Sequence, residues 1–334
     1  MVIVWIKGRD LMGCREVEVD YVFVVFSVWF VGSVSSIISI FVPYLNSISL
    51  YSSKTSIHPM KKAILFITIT MVFQQAWAQI VRASSVSQHL PDSVYWIQLE
   101  VDSGVVHAAV ATPKGAGLFP AIIILHGTHG FAEEYVQLAR RMAENGFIGI
   151  AACWFAGRRG EGTRFITPIE CNDAPPLVDA PGLARFRIAR KTIGSLVEEV
   201  ATLPGVHKEQ ITLFGHSRGA GAALDYVLTH PGNNVQAIVL NSAGYPPEFI
   251  KQAPEVGTPV LTLHGTADNP ADGGSAVTDI SMARQFEAAL RNAGKKVEVK
   301  YYEGGRHNAI FTDQAQFEDA VQRTSAFLRK VFSR

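Results

Sequence analysis

The pentapeptide Gly215-His216-Ser217-Arg218-Gly219 stands between an apolar run and a run of small residues. A serine at such a turn is held in a strained conformation that lifts its hydroxyl above the sheet. Glycines two residues to either side remove side chains that would obstruct the tight strand-to-helix approach. The competing reading is a structural serine capping a helix. A serine hydroxyl is a weak nucleophile without a base, and two other strand ends offer partners. Residues 260–263 run into His264-Gly265-Thr266-Ala267-Asp268, and 297–302 into Glu303-Gly304-Gly305-Arg306-His307. In that arrangement His307 takes the serine proton and returns it to the leaving group, while Asp268 orients the imidazole and stabilises its protonated form. Asp272 and Asp279 compete for the acid role but lie farther past the strand end.

Acyl transfer also needs donors for the developing oxyanion. The backbone amide of Arg218, directly after the serine, is one. The second is expected just after the first buried strand, in His126-Gly127-Thr128-His129-Gly130, with Thr128 the chosen amide. His126 and His129 are spaced i, i+3, but no carboxylate or third ligand accompanies them, so hydrogen bonding is expected there rather than zinc, and no metal site is assigned. His89, His207 and His230 read as loop or surface residues.

Between 155 and 181 the chain is too long for a simple connector, and substrate choice is assigned to this loop. Arg158, Arg159 and Arg164 could hold a carboxylate of the substrate or simply face water. Trp154 and Phe155 either line the acyl pocket or pack beneath the loop, with packing preferred. Cys153 and Cys171 are the two cysteines past position 78; an exported protein would allow them to pair, tying the loop to the end of its strand.

These residues need a scaffold that brings strand ends together. Two β-like runs, 94–99 and 105–111, precede 121–125, a continuous apolar run of the kind buried on both faces of a parallel sheet. Phe131, Tyr135, Leu138 and Met142 follow at helical spacing, and Asn145-Gly146 ends that helix. Residues 147–152 read as the next strand. Leu183, Phe186, Ile193, Leu196, Val197 and Val200 mark a long helix after Pro181. Strands at 211–214, 237–240, 260–263 and 297–302, with helices at 220–228, 283–290 and 317–331, continue the alternation. Such alternation means a mostly parallel sheet with helices on both faces and chemistry at the C-terminal ends of its strands.

Composition narrows the classes. The 334 residues carry 18% charged and 48% hydrophobic side chains, with mean hydropathy +0.17, too apolar for disorder. A net charge of +1 without a basic tract gives nucleic acid no footing. Three cysteines make neither a disulfide-dense mini-fold nor a CxxC zinc site. The apolar excess is N-terminal, where residues 21–53 carry no charge. A basic Met60-Lys61-Lys62, an apolar core over 63–73 and Ala76-Trp77-Ala78 have the three-part layout of a secretory signal cleaved after Ala78. Residues 60–78 are therefore expected to be a signal peptide. Residues 1–59 are expected to be an over-extended reading frame or, in the rival reading, a membrane anchor around 21–45. Residues 79–334 then suit one α/β domain.

Together the elbow, Asp268, His307 and the 126–130 turn resemble the α/β-hydrolase superfamily over roughly 94–332. The compact length and the run from Leu125 to Trp154 look most like its dienelactone hydrolase-like branch. The resemblance implies an α/β-hydrolase fold without a large cap and a cofactor-independent hydrolase of esters or lactones. Dienelactone hydrolases proper carry cysteine at the elbow and a glutamate near the first strand. Here Ser217 and His126-Gly127 stand instead, which fits an ordinary serine esterase better than hydrolysis of dienelactone itself. The expected activity is that of an exported serine hydrolase, secreted or periplasmic, acting on small-molecule or polymeric esters through an acyl-enzyme. Alternatives are a serine peptidase or acyltransferase on the same triad, and a membrane-anchored, non-catalytic binding protein on the same scaffold.

Overall fold

The computed structural model describes residues 2–6, 21–30, 33–41, 94–102, 104–157, 167–171, 173–176, 180–270 and 274–333. They belong to two units, 1–73 and 74–334. In the first, β1 (Val2–Ile6), β2 (Tyr21–Phe30) and β3 (Ser33–Phe41) form an antiparallel sheet in that order. The uncharged stretch, which reads as neither helical nor alternating, therefore contains two paired strands, in register from Val22 opposite Phe41 to Phe30 opposite Ser33. Its Val, Ile and Phe content favours strands. Residues 60–78, the expected signal, lie outside the described residues. Among the described residues no helix is long and apolar enough to cross a membrane.

The second unit opens with β4 (Val94–Val101) and β5 (Gly104–Ala111), then β6 (Phe119–Leu125), α1 (Glu133–Glu144) and β7 (Ile148–Ala152). Next come α2 (Arg187–Thr202), β8 (Val206–His216), α3 (Arg218–Thr229), β9 (Val235–Asn241), α4 (Pro247–Gln252) and β10 (Val260–Gly265). It closes with α5 (Ile280–Asn292), β11 (Val297–Tyr302), α6 (Ala309–Thr312) and α7 (Gln314–Phe332). The strands make one eight-stranded sheet in the order β11-β10-β9-β8-β6-β7-β5-β4. Only β5 runs against the rest, pairing antiparallel with both β4 and β7, while every other pair in this sheet is parallel. This is the expected α/β-hydrolase arrangement, and no large cap is evident among the described residues.

The unbroken apolar run of β6 follows from burial on both faces. Ile122 and Ile124 join Leu138 and Met142 of α1 and Val321 and Leu328 of α7. Ile123 and Leu125 turn the other way, towards Ile193 and Leu196 of α2, Leu224 of α3 and Phe286 of α5. Alternate side chains of one strand thus feed two cores, each buried isoleucine stabilising the fold by about 1.5–3 kcal/mol.

The structure differs from the sequence expectation at some boundaries. Phe131 lies ahead of α1, because the chain first bridges Ala132 to Pro168. Leu183 and Phe186 belong to a 3-10 turn, Gly182–Phe186, since Gly182 at φ +58° cannot begin an α-helix. His207 lies within β8, which is longer than the 211–214 run. The short helices α4 and α6 have too few residues to show a period.

Candidate active site

β6 and β8 are parallel neighbours, with Leu125 opposite Gly215, while β7 flanks β6 on its other side. The connections therefore diverge between the C-terminal ends of β6 and β8, the switch point at which open α/β sheets hold their ligands. His126 and Ser217 begin at those two ends.

Ser217 adopts φ 52° and ψ −113°, a sparsely populated conformation costing of order 1–3 kcal/mol. Its N–H donates to Asn241 O at 2.9 Å. The flanking glycines are required by contact: a Cβ at Gly215 would stand 2.3 Å from the Ala220 backbone, and one at Gly219 would stand 2.2 Å from Leu125 O. The turn thus presses α3 onto both β8 and β6.

The structure brings the three sequence-predicted residues into one hydrogen-bonded line. His307 Nε2 lies 2.9 Å from Ser217 Oγ, and His307 Nδ1 lies 2.9 Å from Asp268 Oδ2. Because the carboxylate accepts from Nδ1–H, Nε2 is left to accept the serine proton. Asp268 is fully buried, and a second imidazole attends it, with His264 Nε2 3.4 Å from the same Oδ2 and 2.8 Å from Thr278 O. Burial pushes the His264 pKa down against the pull of Asp268. Asp279, a competitor for the acid role, instead caps α5 by accepting from Ser281 N at 2.8 Å. Asp272 lies outside the described residues.

On the opposite side of the serine, Arg218 opens α3, where backbone N–H groups point out of the helix end rather than along its ladder. Thr128 sits in the 126–130 turn, which hydrogen bonds brace. Gly127 N donates to Tyr135 Oη at 3.2 Å, and that hydroxyl lies 2.6 Å from His129 Nε2. His126 Nδ1 donates to Gly127 O at 2.8 Å, and Trp154 Nε1 donates to His126 O at 3.1 Å. A Cβ at Gly127 would lie 3.2 Å from Ser217 Cβ, so the turn packs directly on the nucleophile. Burial lowers the pKa of His126 to about 3 and that of His129 to about 4, leaving both imidazoles neutral. Among the described residues, no three His, Cys, Asp or Glu side chains gather around a metal position.

Trp154 and Phe155 are buried, ring centroids 4.4 Å apart in a T-shaped pair, and Phe155 carries the Arg218 guanidinium 5.7 Å above its ring. With Pro175, Pro176 and Arg185 they wall a small cavity beside Arg218. Arg158, Arg159 and Arg164 lie outside the described residues. Cys153 and Cys171 form a disulfide with Cα atoms 6.3 Å apart, and Ile169 N donates to Phe131 O at 3.0 Å. The loop is thus bound to β7 and to the segment before α1.

The sequence assigns no role at the site to Tyr135, His216, Asn241, His264 or Asn308. Their partners are distant in sequence, and the one available signal was adjacency: His216 precedes Ser217 and Asn308 follows His307.

A family model described as the dienelactone hydrolase family matches residues 106–332. A curated protein of Saccharolobus solfataricus, whose name assigns it provisionally to the carboxymethylenebutenolidases, is 22% identical over 261 residues, 69% of this chain and 96% of its own. A dienelactone hydrolase-like promiscuous phosphotriesterase from metagenomic libraries superposes with TM-score 0.54 at 15% identity, over 72% of this chain and 99% of its own. The dienelactone hydrolase of Anabaena variabilis gives TM-score 0.51 at 17% identity, over 72% and 99%. At these identities the solved structures speak for the fold, and the family match speaks for descent: this chain belongs to the dienelactone hydrolase family.

Proposed function

We propose that the chain is an exported serine hydrolase that cleaves carboxylic esters or lactones through an acyl-enzyme. The observation that carries this reading is the line Ser217–His307–Asp268, with both links at 2.9 Å and the serine at φ 52°. Ser217 Oγ attacks the ester carbonyl carbon as its proton passes to His307 Nε2. The carbonyl oxygen becomes an oxyanion held by the amides of Arg218 and Thr128. Collapse of that intermediate expels the alkoxide, which takes the proton from His307; from a lactone, the released hydroxyl stays on the acyl chain. Water then attacks the acyl-enzyme by the same route and frees Ser217. Asp268 accepts Nδ1–H throughout, so that Nε2 faces the serine. Nothing in this sequence calls for a cofactor, and the substrate is a small ester or an accessible ester of a polymer.

Export is supported by the 60–78 layout and by the Cys153–Cys171 pair, which persists in oxidising compartments. The destination is the periplasm or the exterior. Sequencing the N-terminus of the mature protein tests this; a mature chain still beginning before residue 60 would overturn it. The catalytic reading is tested with short-chain p-nitrophenyl esters, comparing the wild type with Ser217→Ala. A burst and turnover, both lost in the variant, are expected; turnover surviving in folded Ser217→Ala would identify a different nucleophile.

A further inference from the structure

His216 is the last residue of β8, directly before the nucleophile, and its side chain is fully buried. Both ring nitrogens are engaged. The Asn241 side-chain amide nitrogen lies 2.6 Å from Nδ1, and since an amide nitrogen only donates, Nδ1 is the acceptor. In the neutral ring Nε2 then carries the proton, and it meets Asn308 Oδ1 at 3.0 Å. Burial holds the imidazole neutral, its pKa well below the usual value, which fits one donor and one acceptor. Asn308 directly follows His307. Two adjacent residues of the elbow thus grip two adjacent residues of the base loop: Ser217 Oγ meets His307, and His216 Nε2 meets Asn308.

Asn241 fastens the elbow end of this arrangement twice, since its carbonyl accepts from Ser217 N at 2.9 Å while its amide donates to His216. Phe311 of α6 stands edge-on to the His216 ring at 5.1 Å, so the helix that follows the base loop rests on the same imidazole. Other ties of this loop lead towards the acid. Ala267 N donates to Gly305 O, Thr266 N to Tyr302 O, and Gly304 N to Thr266 Oγ1, all within 2.9 Å. Those bonds tie the loop to the segment that carries Asp268, whereas the bond of Asn308 to His216 ties it to the elbow.

We propose that Asn241, His216 and Asn308 form a buried strap that fixes His307 against the nucleophile, making His216 and Asn308 positioning residues for the reaction. The proposal rests on the serine hydrolase reading above. The bonds of His307 to Asp268 and to Ser217 hold the imidazole at its two ring nitrogens and leave it free to pivot about the line between them. A further point of attachment one residue away removes the pivot and keeps Nε2 aligned while the proton moves out and back. A misplacement of about 1 Å can cost on the order of 100-fold in rate, so the strap should act on turnover and not on substrate affinity.

The test uses the full chain with p-nitrophenyl acetate, together with labelling of Ser217 by a fluorophosphonate, which needs no knowledge of the natural ester. His216→Phe keeps a ring under Phe311 and removes both bonds; Asn308→Ala removes the acceptor. Each is expected to lower kcat and the labelling rate about 10- to 100-fold with KM within twofold, and the double variant should fall no further than the worse single one. His216→Gln, which restores a donor, should recover part of the loss; it and Asn308→Ser also serve if the first pair does not fold. Folded variants with unchanged kcat, or losses that multiply in the double variant, would overturn the strap. Ser217→Ala run alongside separates the two failures: activity lost there but kept in the strap variants defeats only the strap, whereas activity surviving in Ser217→Ala defeats the hydrolase reading and the strap with it.

Discussion

Ser217 does not hold its own conformation; its neighbours do. The backbone at φ 52° is fixed by Asn241 O on one side and by the close approach of α3 on the other. Asp268 likewise depends on its surroundings, because a fully buried carboxylate is tolerable only when paired or hydrogen-bonded. His307 and His264 stand on the same Oδ2. Removing either catalytic partner should therefore leave a folded protein that has lost most of its rate. We expect His307→Ala and Asp268→Asn each to lower kcat by roughly 1,000- to 10,000-fold, the second because a neutral amide can hold the imidazole in the wrong tautomer. Steady-state kinetics on p-nitrophenyl esters checks this, and a loss under tenfold in either variant would contradict the assigned roles. At this scale the sequence was legible where chemistry imposes a local pattern. Ser217 announces itself by two glycines, and Asp268 and His307 by their place after apolar runs. His216 and Asn308 were not legible, because they are 92 positions apart and their types are common in loops.

The elements succeed or fail by contact between backbones. Gly219 lies where α3 crosses the end of β6, and a methyl group there would meet Leu125 O at 2.2 Å. Gly219→Ala should thus destabilise the fold by about 1–3 kcal/mol or more, as overpacking does, and it should disturb the oxyanion turn at the same time. A urea midpoint equal to that of the wild type would show that the helix can shift without cost. The disulfide acts at the same level, since it joins residues 18 apart in sequence, with Trp154 and Phe155 in the loop it closes. A loop of that size is worth about 3 kcal/mol in chain-entropy terms. Reduction, or Cys171→Ser, should lower the melting temperature by several degrees. Two free thiols found by non-reducing mass spectrometry would remove the premise. Long elements were legible because each shows a period or a continuous apolar run. The two-faced burial of β6 is the clearest case. The 3-10 turn before α2 and the short α4 and α6 were not legible, for they bury one or two residues each and are set by what they rest on.

At the scale of the whole molecule, the sheet gathers several buried imidazoles around one site. His126, His216 and His264 are fully buried, and burial lowers the pKa of each; His129, largely buried, is held at about 4 by the same cause. In the unfolded chain all of them take up a proton near pH 6.5. The folded protein refuses that proton until the pH falls to about 4 for His129 and about 3 for His126. Between these limits the unfolded state binds more protons, so stability falls as the pH falls, and it is fully present only above pH 6.5. For a fully buried imidazole such as His126, the slope is about 1.4 kcal/mol per pH unit. The site that needs neutral rings beside His307 therefore makes the fold acid-labile. Urea midpoints measured from pH 7.5 down to pH 4.5 should drop steadily below pH 6.5. His126→Phe, which keeps an aromatic ring against Phe155 but cannot titrate, should give a shallower decline even though it starts from a lower midpoint for want of the bond to Gly127 O. Equal slopes for the two proteins would mean that His126 gains its proton in the folded state as readily as in the unfolded one, and the buried imidazoles would no longer account for how this molecule responds to acid.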